Sequence, residues 1–172
     1  MADFISECQK LISEGKHSET LSLSEEQLKQ KPEYDAAWRM SGLALQALGR
    51  SDEAAESFRK AISYGKSDPK NHHAYAVLLF NMKRFEEALL LFEAAETLEP
   101  TPERLFMVAI ADLMLGRQLD AVLAMREAIA ANKDQTLAVA RSFSECYFQD
   151  KSVQEEDKRA LKAQLDRLMR SA

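Results

Sequence analysis

Three histidines and two cysteines are the side chains best suited to metal or nucleophilic chemistry: His17, His72, His73, Cys8 and Cys146. On a helix, neighbours such as His72 and His73 point about 100° apart, so they cannot close on one ion. The two cysteines sit far apart in sequence and form no metal spacing. Neither cysteine has a histidine nearby in sequence to draw off its proton. The chain contains no HExxH, GxSxG, CxxC or Walker-type phosphate loop. The acidic pairs Glu25-Glu26 and Glu86-Glu87 fall on solvated helix faces, where they make poor acid/base dyads. The expectation is therefore no catalytic residue, no metal and no cofactor. Asp112 stands apart, because it occupies a column otherwise filled by Leu45 and Leu79. A carboxylate buried there needs a cationic or amide partner, and Arg141 is the candidate.

The elements that must position these residues are legible in composition. Among 172 residues, 25 are Ala and 22 Leu, against 14 for Val, Ile and Thr together. β-Branched side chains lose freedom on a helix whereas Ala and Leu do not, so the chain reads as all-α. Only 5 Gly and 4 Pro interrupt it, which leaves little room for long loops. The net charge of −5 comes without any run of Lys or Arg, so nothing marks a partner rich in phosphate, and nucleic acid is not expected. The uncharged stretch 105–111 is far too short to span a bilayer. The opening decapeptide MADFISECQK has neither a basic nor an apolar signal region. A cytoplasmic protein with reduced thiols is the expectation.

A repeat organises the rest. GRSDEAAESFRKAI (49–62), KRFEEALLLFEAAE (83–96) and GRQLDAVLAMREAI (116–129) align without gaps. Ala54, Ala88 and Ala121 form one column, Phe58, Phe92 and Met125 the next, and Ala61, Ala95 and Ala128 the third. The copies lie 34 and then 33 residues apart, each preceded by a second helical stretch. Small residues at Gly42, Ala76 and Ala109 let two helices approach, and the large residue of the second column fills the space between them. One period earlier, Phe4, Leu11, Gly15 and Pro32 keep the pattern, while Thr20 and Ser24 depart from it. Asp68-Pro69 and Thr101-Pro102 have the form of an N-cap followed by Pro at the first helical position, and Ser51 is suited to cap the helix of Ala54 and Phe58.

Trp38, Gly42, Gly49, Ala54, Phe58 and Ala61 together resemble the tetratricopeptide repeat (TPR), two antiparallel helices in 34 residues. The resemblance implies an all-α TPR solenoid of antiparallel helix pairs: a degenerate unit at 1–34, then 35–68, 69–101 and 102–134, closed by helices in 135–172. It also implies a groove lined by the first helix of each pair. The inward columns would supply Arg39, Leu43 and Gln46, then His73, Val77 and Phe80, then Phe106, Ile110 and Leu113, with Tyr147 beyond. TPR domains that grip a C-terminal carboxylate carry several cations in such columns; the matching positions here, Arg39, Leu43, Ala74, Glu103 and Met107, do not. An apolar floor suits a hydrophobic or extended segment of a partner protein, so the expected function is a non-enzymatic adaptor.

Two alternatives stand beside that reading. YDAAW (34–38), QALGR (46–50) and Asp68-Pro69 resemble the middle repeats of type III secretion translocator chaperones, which would imply a chaperone of a hydrophobic client. The chain departs from that family in lacking an extension before the first repeat and in its longer last helix. The segment 153–170 is strongly amphipathic, with Leu161, Leu165 and Leu168 on one face. It is expected to cap the last repeat, or else to form a homodimer seam or a flap over the groove.

Overall fold

The computed structural model describes residues 3–149 and 154–171, with the side chains of 146, 157, 160 and 168–171 left aside. The thiol of Cys146, the side chain of Leu168 and the helix break expected at 150–152 lie outside the described residues. Nine helices and no strands occur among the described residues: α1 (Phe4–Ser13), α2 (His17–Gln30), α3 (Asp35–Ala47), α4 (Ser51–Tyr64), α5 (Pro69–Asn81), α6 (Phe85–Leu98), α7 (Pro102–Met114), α8 (Gln118–Gln149) and α9 (Glu155–Ser171). They form an all-α TPR solenoid fold in which consecutive helices pack as pairs, within two compact units, Met1–Arg84 and Phe85–Ala172.

In the first unit α1 packs on α2, α3 on α4, and α5 on both α3 and α4. The close approach between α3 and α4 depends on Gly42. A Cβ there would lie 2.6 Å from Phe58 Cε1, inside van der Waals contact. Phe58 itself is fully buried, as are Ala54 and Ala61. The first pair solves the same problem with different volumes. Cys8 takes the Gly42 column, Thr20 and Ser24 take the Ala54 and Phe58 columns, and all three are fully buried. Their hydroxyls are satisfied within the helix, Thr20 Oγ1 donating to the Lys16 carbonyl and Ser24 Oγ to that of Thr20. The degenerate unit thus keeps the helix pairing by replacing a small–large contact with a medium–small one.

Each first-to-second helix turn uses a left-handed residue. Gly15, Gly49 and Gly116 have φ of 73–76°, and Lys83 takes the same place with φ 61°. The amide after each returns to a carbonyl five residues back, as in Arg50 to Leu45 and Arg84 to Leu79. At the helix starts, Asp68 accepts from the Lys70 amide and Thr101 from the Arg104 amide, each followed by Pro as expected. Ser51 corrects its expectation: it is the first residue of α4, and the cap position falls to Arg50 with no side-chain bond.

In the second unit α7 packs on α6 and α8, and α9 lies against α8 and α7. α8 changes direction at Asn132, whose backbone is extended (φ −163°, ψ 103°). The Asn132 side chain accepts from the Gln135 amide, so it caps a following stretch to Gln149. Thr136 Oγ1 donates to the Ala128 and Asn132 carbonyls and ties the bend. Leu161 and Leu165 of α9 are buried, which makes α9 a capping helix.

Candidate functional site

The nine candidate residues divide between the two units, and their local geometry differs sharply. In the first unit Arg39 is 6% exposed and is held by two acceptors. Its Nη1 lies 2.6 Å from Asp68 Oδ2 and 2.7 Å from Asn71 Oδ1. Asn71, fully buried, donates onward from Nδ2 to Asp35 Oδ2 (2.9 Å) and to the Ala61 and Gly65 carbonyls (3.1 Å each). This network ties α3, the end of α4 and the start of α5. Burial alone would raise the Asp68 carboxyl, but the Lys70 amide and the Arg39 guanidinium hold it below its ordinary value. Arg39 is therefore a neutralised cation, its charge matched by a carboxylate of the same unit.

One turn along α3 from Arg39, Leu43 is half-buried, and in α5 His73 and Val77 are half-buried in the equivalent columns. Gln46, one turn further, keeps a buried side-chain oxygen with no hydrogen-bond partner among the described residues. Phe80, in the Gln46 column one repeat later, is 5% exposed. The face of α3 and α5 thus presents Leu43, His73 and Val77 above a ground layer of Arg39 and Phe80.

In the second unit Phe106 and Ile110 are fully buried and Leu113 is 5% exposed. Tyr147 is half-buried and stacks on Phe143, with ring centroids 5.5 Å apart and planes at 20°. Phe143 meets Phe106 edge-on at 5.7 Å, and Phe148 meets Tyr147 edge-on at 5.7 Å. Phe143 joins the buried Phe106 to the more accessible Tyr147, and sequence reasoning did not single it out. The signal was present, since Phe143 and Tyr147 are four residues apart and share a helix face.

Asp112 is 4% exposed, and Arg141 is not its partner. The correction is Arg117, whose Nη1 lies 3.9 Å from Asp112 Oδ1, on the loop that enters α8. Burial, then the charge of Asp120, raises the Asp112 carboxyl to about 6, with Arg117 opposing and Glu93 adding. A half-exposed cation at the edge of contact distance does not hold the charge down as a close pair would. Burial likewise pushes the Cys8 thiol up, although the Ser24 hydroxyl opposes it, which leaves Cys8 short of the thiolate that nucleophilic chemistry uses. No cluster of three or more His, Cys, Asp or Glu suited to a metal occurs among the described residues. No helix among them is long and apolar enough to cross a membrane.

A separate open cleft of about 490 Å³ in the first unit has Leu21, Leu28, Trp38 and Leu45 among its lining residues. The Lys60 ammonium sits 4.3 Å from the Trp38 ring centroid, and the indole N–H donates to the Pro32 carbonyl. Its rim charges are largely spoken for, with Arg50 paired to Glu53 and Glu56 to Arg59.

The family described as Tetratricopeptide repeat matches residues 23–72 and 39–104. No curated protein matches the sequence. Among solved structures, the chain is similar to TTC0263, a thermophilic TPR protein in Thermus thermophilus, with 16% identity and a TM-score of 0.71 over 84% of this chain and 80% of that one. It is similar to Pseudomonas aeruginosa pilF, with 18% identity and a TM-score of 0.72 over 98% and 75% of the two chains. MamA from Desulfovibrio magneticus RS-1 gives 16% identity and a TM-score of 0.68 over 99% and 96%. At these identities the likeness speaks for the fold alone.

Proposed function

Since the chain is a tetratricopeptide-repeat protein, we propose that it is a non-enzymatic adaptor that holds an extended, hydrophobic segment of a partner protein on its first-helix faces. The observation that carries this reading is the pairing of Arg39 with Asp68, beside a half-buried apolar row at Leu43 and Val77. A face whose cation is already matched has no charge left for a ligand carboxylate, so it selects against charged peptide ends and for apolar side chains. In the second unit Tyr147 and Phe148 are the contact residues. Arg39, Phe80, Phe106, Ile110 and Leu113 act from beneath as packing that fixes the faces.

Burying two or three such side chains gains about 1.5–3 kcal/mol each. Ordering a flexible peptide takes back much of that, so binding of a short segment falls near micromolar. The test is a peptide array of apolar twelve-residue segments, followed by calorimetric titration of the best binder. Leu43→Glu and Val77→Glu are expected to weaken binding about tenfold or more while circular dichroism stays unchanged. Undiminished affinity in both variants would remove the α3/α5 face from consideration. These positions are chosen over Phe80 or Phe106, where a charge would be buried and the unit would unfold.

A further inference from the structure

On another face of α3, Trp38, Ser41 and Leu45 follow one another at one-turn spacing and floor the open cleft of the first unit, with α2 and α4 as its walls. Lys60 lies over Trp38 and Phe58 lies against Gly42, so α4 runs antiparallel to α3. The short turn at 31–34 makes α2 antiparallel to α3 as well, which sets Leu28 and Lys29 at the Trp38 end and Leu21 at the Leu45 end. The packing of the unit leaves polar groups unused here. Ser41 and Ser57 line the cleft, 4% and 6% exposed, and neither hydroxyl makes a hydrogen bond among the described residues. Of the six charged residues in the lining, Arg50 and Glu53 close on each other through two bonds, and Glu56 closes on Arg59. The other three, Glu25, Lys29 and Lys60, have no ion pair among the described residues.

We propose that this cleft docks one face of an amphipathic helix from a partner protein, with an acidic side chain at the Trp38 end, a basic one a turn away and an apolar one at the Leu45 end. The order follows from where the unpaired charges stand. Lys29 and Lys60 flank the half-buried Trp38, so a carboxylate entering there meets two ammoniums, and its methylenes rest on the indole. One turn along, a Lys or Arg side chain reaches Glu25, and the Ser41 and Ser57 hydroxyl oxygens accept from the same group. Leu21 and Leu45 then receive the aliphatic side chain. A helix suits the cleft because its lining recurs at turn spacing on all three sides, as 21/25/28, 38/41/45 and 53/57/60, so the ridge of a fourth helix meets it in step. The floor spans only two turns, about 10 Å, and binding through three side chains falls near micromolar. This face lies about 130° round α3 from Leu43, so the site is separate from the peptide-binding faces proposed above.

Fluorescence anisotropy with the full chain tests this, using a labelled alanine-based helical peptide of about seventeen residues that carries Glu, Lys and Leu at i, i+4 and i+7. Its control exchanges the Glu and the Lys. The first peptide is expected to bind near micromolar and the control about fivefold more weakly. Lys29→Glu/Lys60→Glu, at positions that bear on the cleft and not on the core, should weaken the first peptide about tenfold with circular dichroism unchanged. Leu43→Glu should leave that affinity as it is. Absence of binding below about 1 mM overturns the proposal. So does equal affinity for the two peptides, or indifference to Lys29→Glu/Lys60→Glu. Loss of binding in Leu43→Glu would move the peptide to the α3/α5 face and overturn it as well.

Discussion

Arg39 Nη1 sits 2.6 Å from Asp68 Oδ2, and this one ion pair joins the middle of α3 to the N-cap of α5. The same nitrogen reaches Asn71, so a single guanidinium serves both a helix cap and a fully buried amide. Removing it takes a donor from the fully buried Asn71 oxygen and the counter-charge from the half-buried Asp68, which keeps only the Lys70 amide. Arg39→Ala is expected to destabilise the protein by about 2–4 kcal/mol, measured by urea denaturation at pH 7. The loss should depend on acidity. The folded Asp68 carboxyl lies below its unfolded value, so its contribution is present above that unfolded value and disappears as pH falls through the folded one. The gap between wild type and variant should therefore narrow below about pH 4.

Gly42 tests the helix crossing. Its substitution by Ala drives a methyl to within 2.6 Å of the Phe58 ring, and Phe58 is fully buried with nowhere to turn. A cost of about 1–3 kcal/mol is expected. Phe58→Leu in the same chain should recover part of it, since the smaller side chain gives the methyl room. Thermal melts of the two single variants and the double variant give the coupling energy directly. Additive effects would mean that the helices shift apart instead of clashing at this pair.

How much of this was legible in the sequence depends on how local the cause is. The helix pairing was readable because Ala54, Phe58 and Ala61 recur in register, and the caps at Asp68 and Thr101 because Pro follows each of them. Thr20 and Ser24 were read as departures, and their hydroxyl bonds to the preceding turn explain why the fold tolerates them. The faces were harder. An apolar residue at an inward column is written the same way whether it is half-buried, as Leu43 and Val77 are, or sealed, as Phe106 and Ile110 are. Arg39 looked like a groove cation because its partners, Asp68 and Asn71, lie 29 and 32 residues away, where no periodicity points. Asp112 is the opposite case: the sequence offers the distant Arg141 as its partner, whereas the turn after α7 brings in Arg117, only five residues away.

Asp112 sets a second, opposite pH dependence. Its folded carboxyl is raised to about 6 by burial and by Asp120, above the unfolded value. A raised carboxyl makes the folded state bind the extra proton, so this residue costs stability as pH rises from about 4 through about 6. Asp112→Asn removes the titration and keeps the shape. It should raise stability at pH 7 by about 1–3 kcal/mol, with little change at pH 4. Denaturation curves at the two pH values decide it, and an equal effect at both would show that charge burial is not the cause.

Lys83 is the clearest place where the repeat departs from its own best residue. It takes a left-handed conformation, φ 61°, at the turn where Gly15, Gly49 and Gly116 stand in the other copies. An L-residue with a Cβ pays roughly 1 kcal/mol to sit there, and the bond from the Arg84 amide to the Leu79 carbonyl holds it in place. Lys83→Gly relieves that strain but frees the unfolded chain and gives up the side chain's own interaction with the fold. The left-handed penalty is the largest of these, so the expected net effect is a gain of about 0.5–1 kcal/mol. Lys83→Ala separates the contributions, because it removes the side chain yet keeps the strain, and it should lower stability. A glycine variant no more stable than the alanine one would mean that the turn is set by the flanking helices and carries no strain of its own.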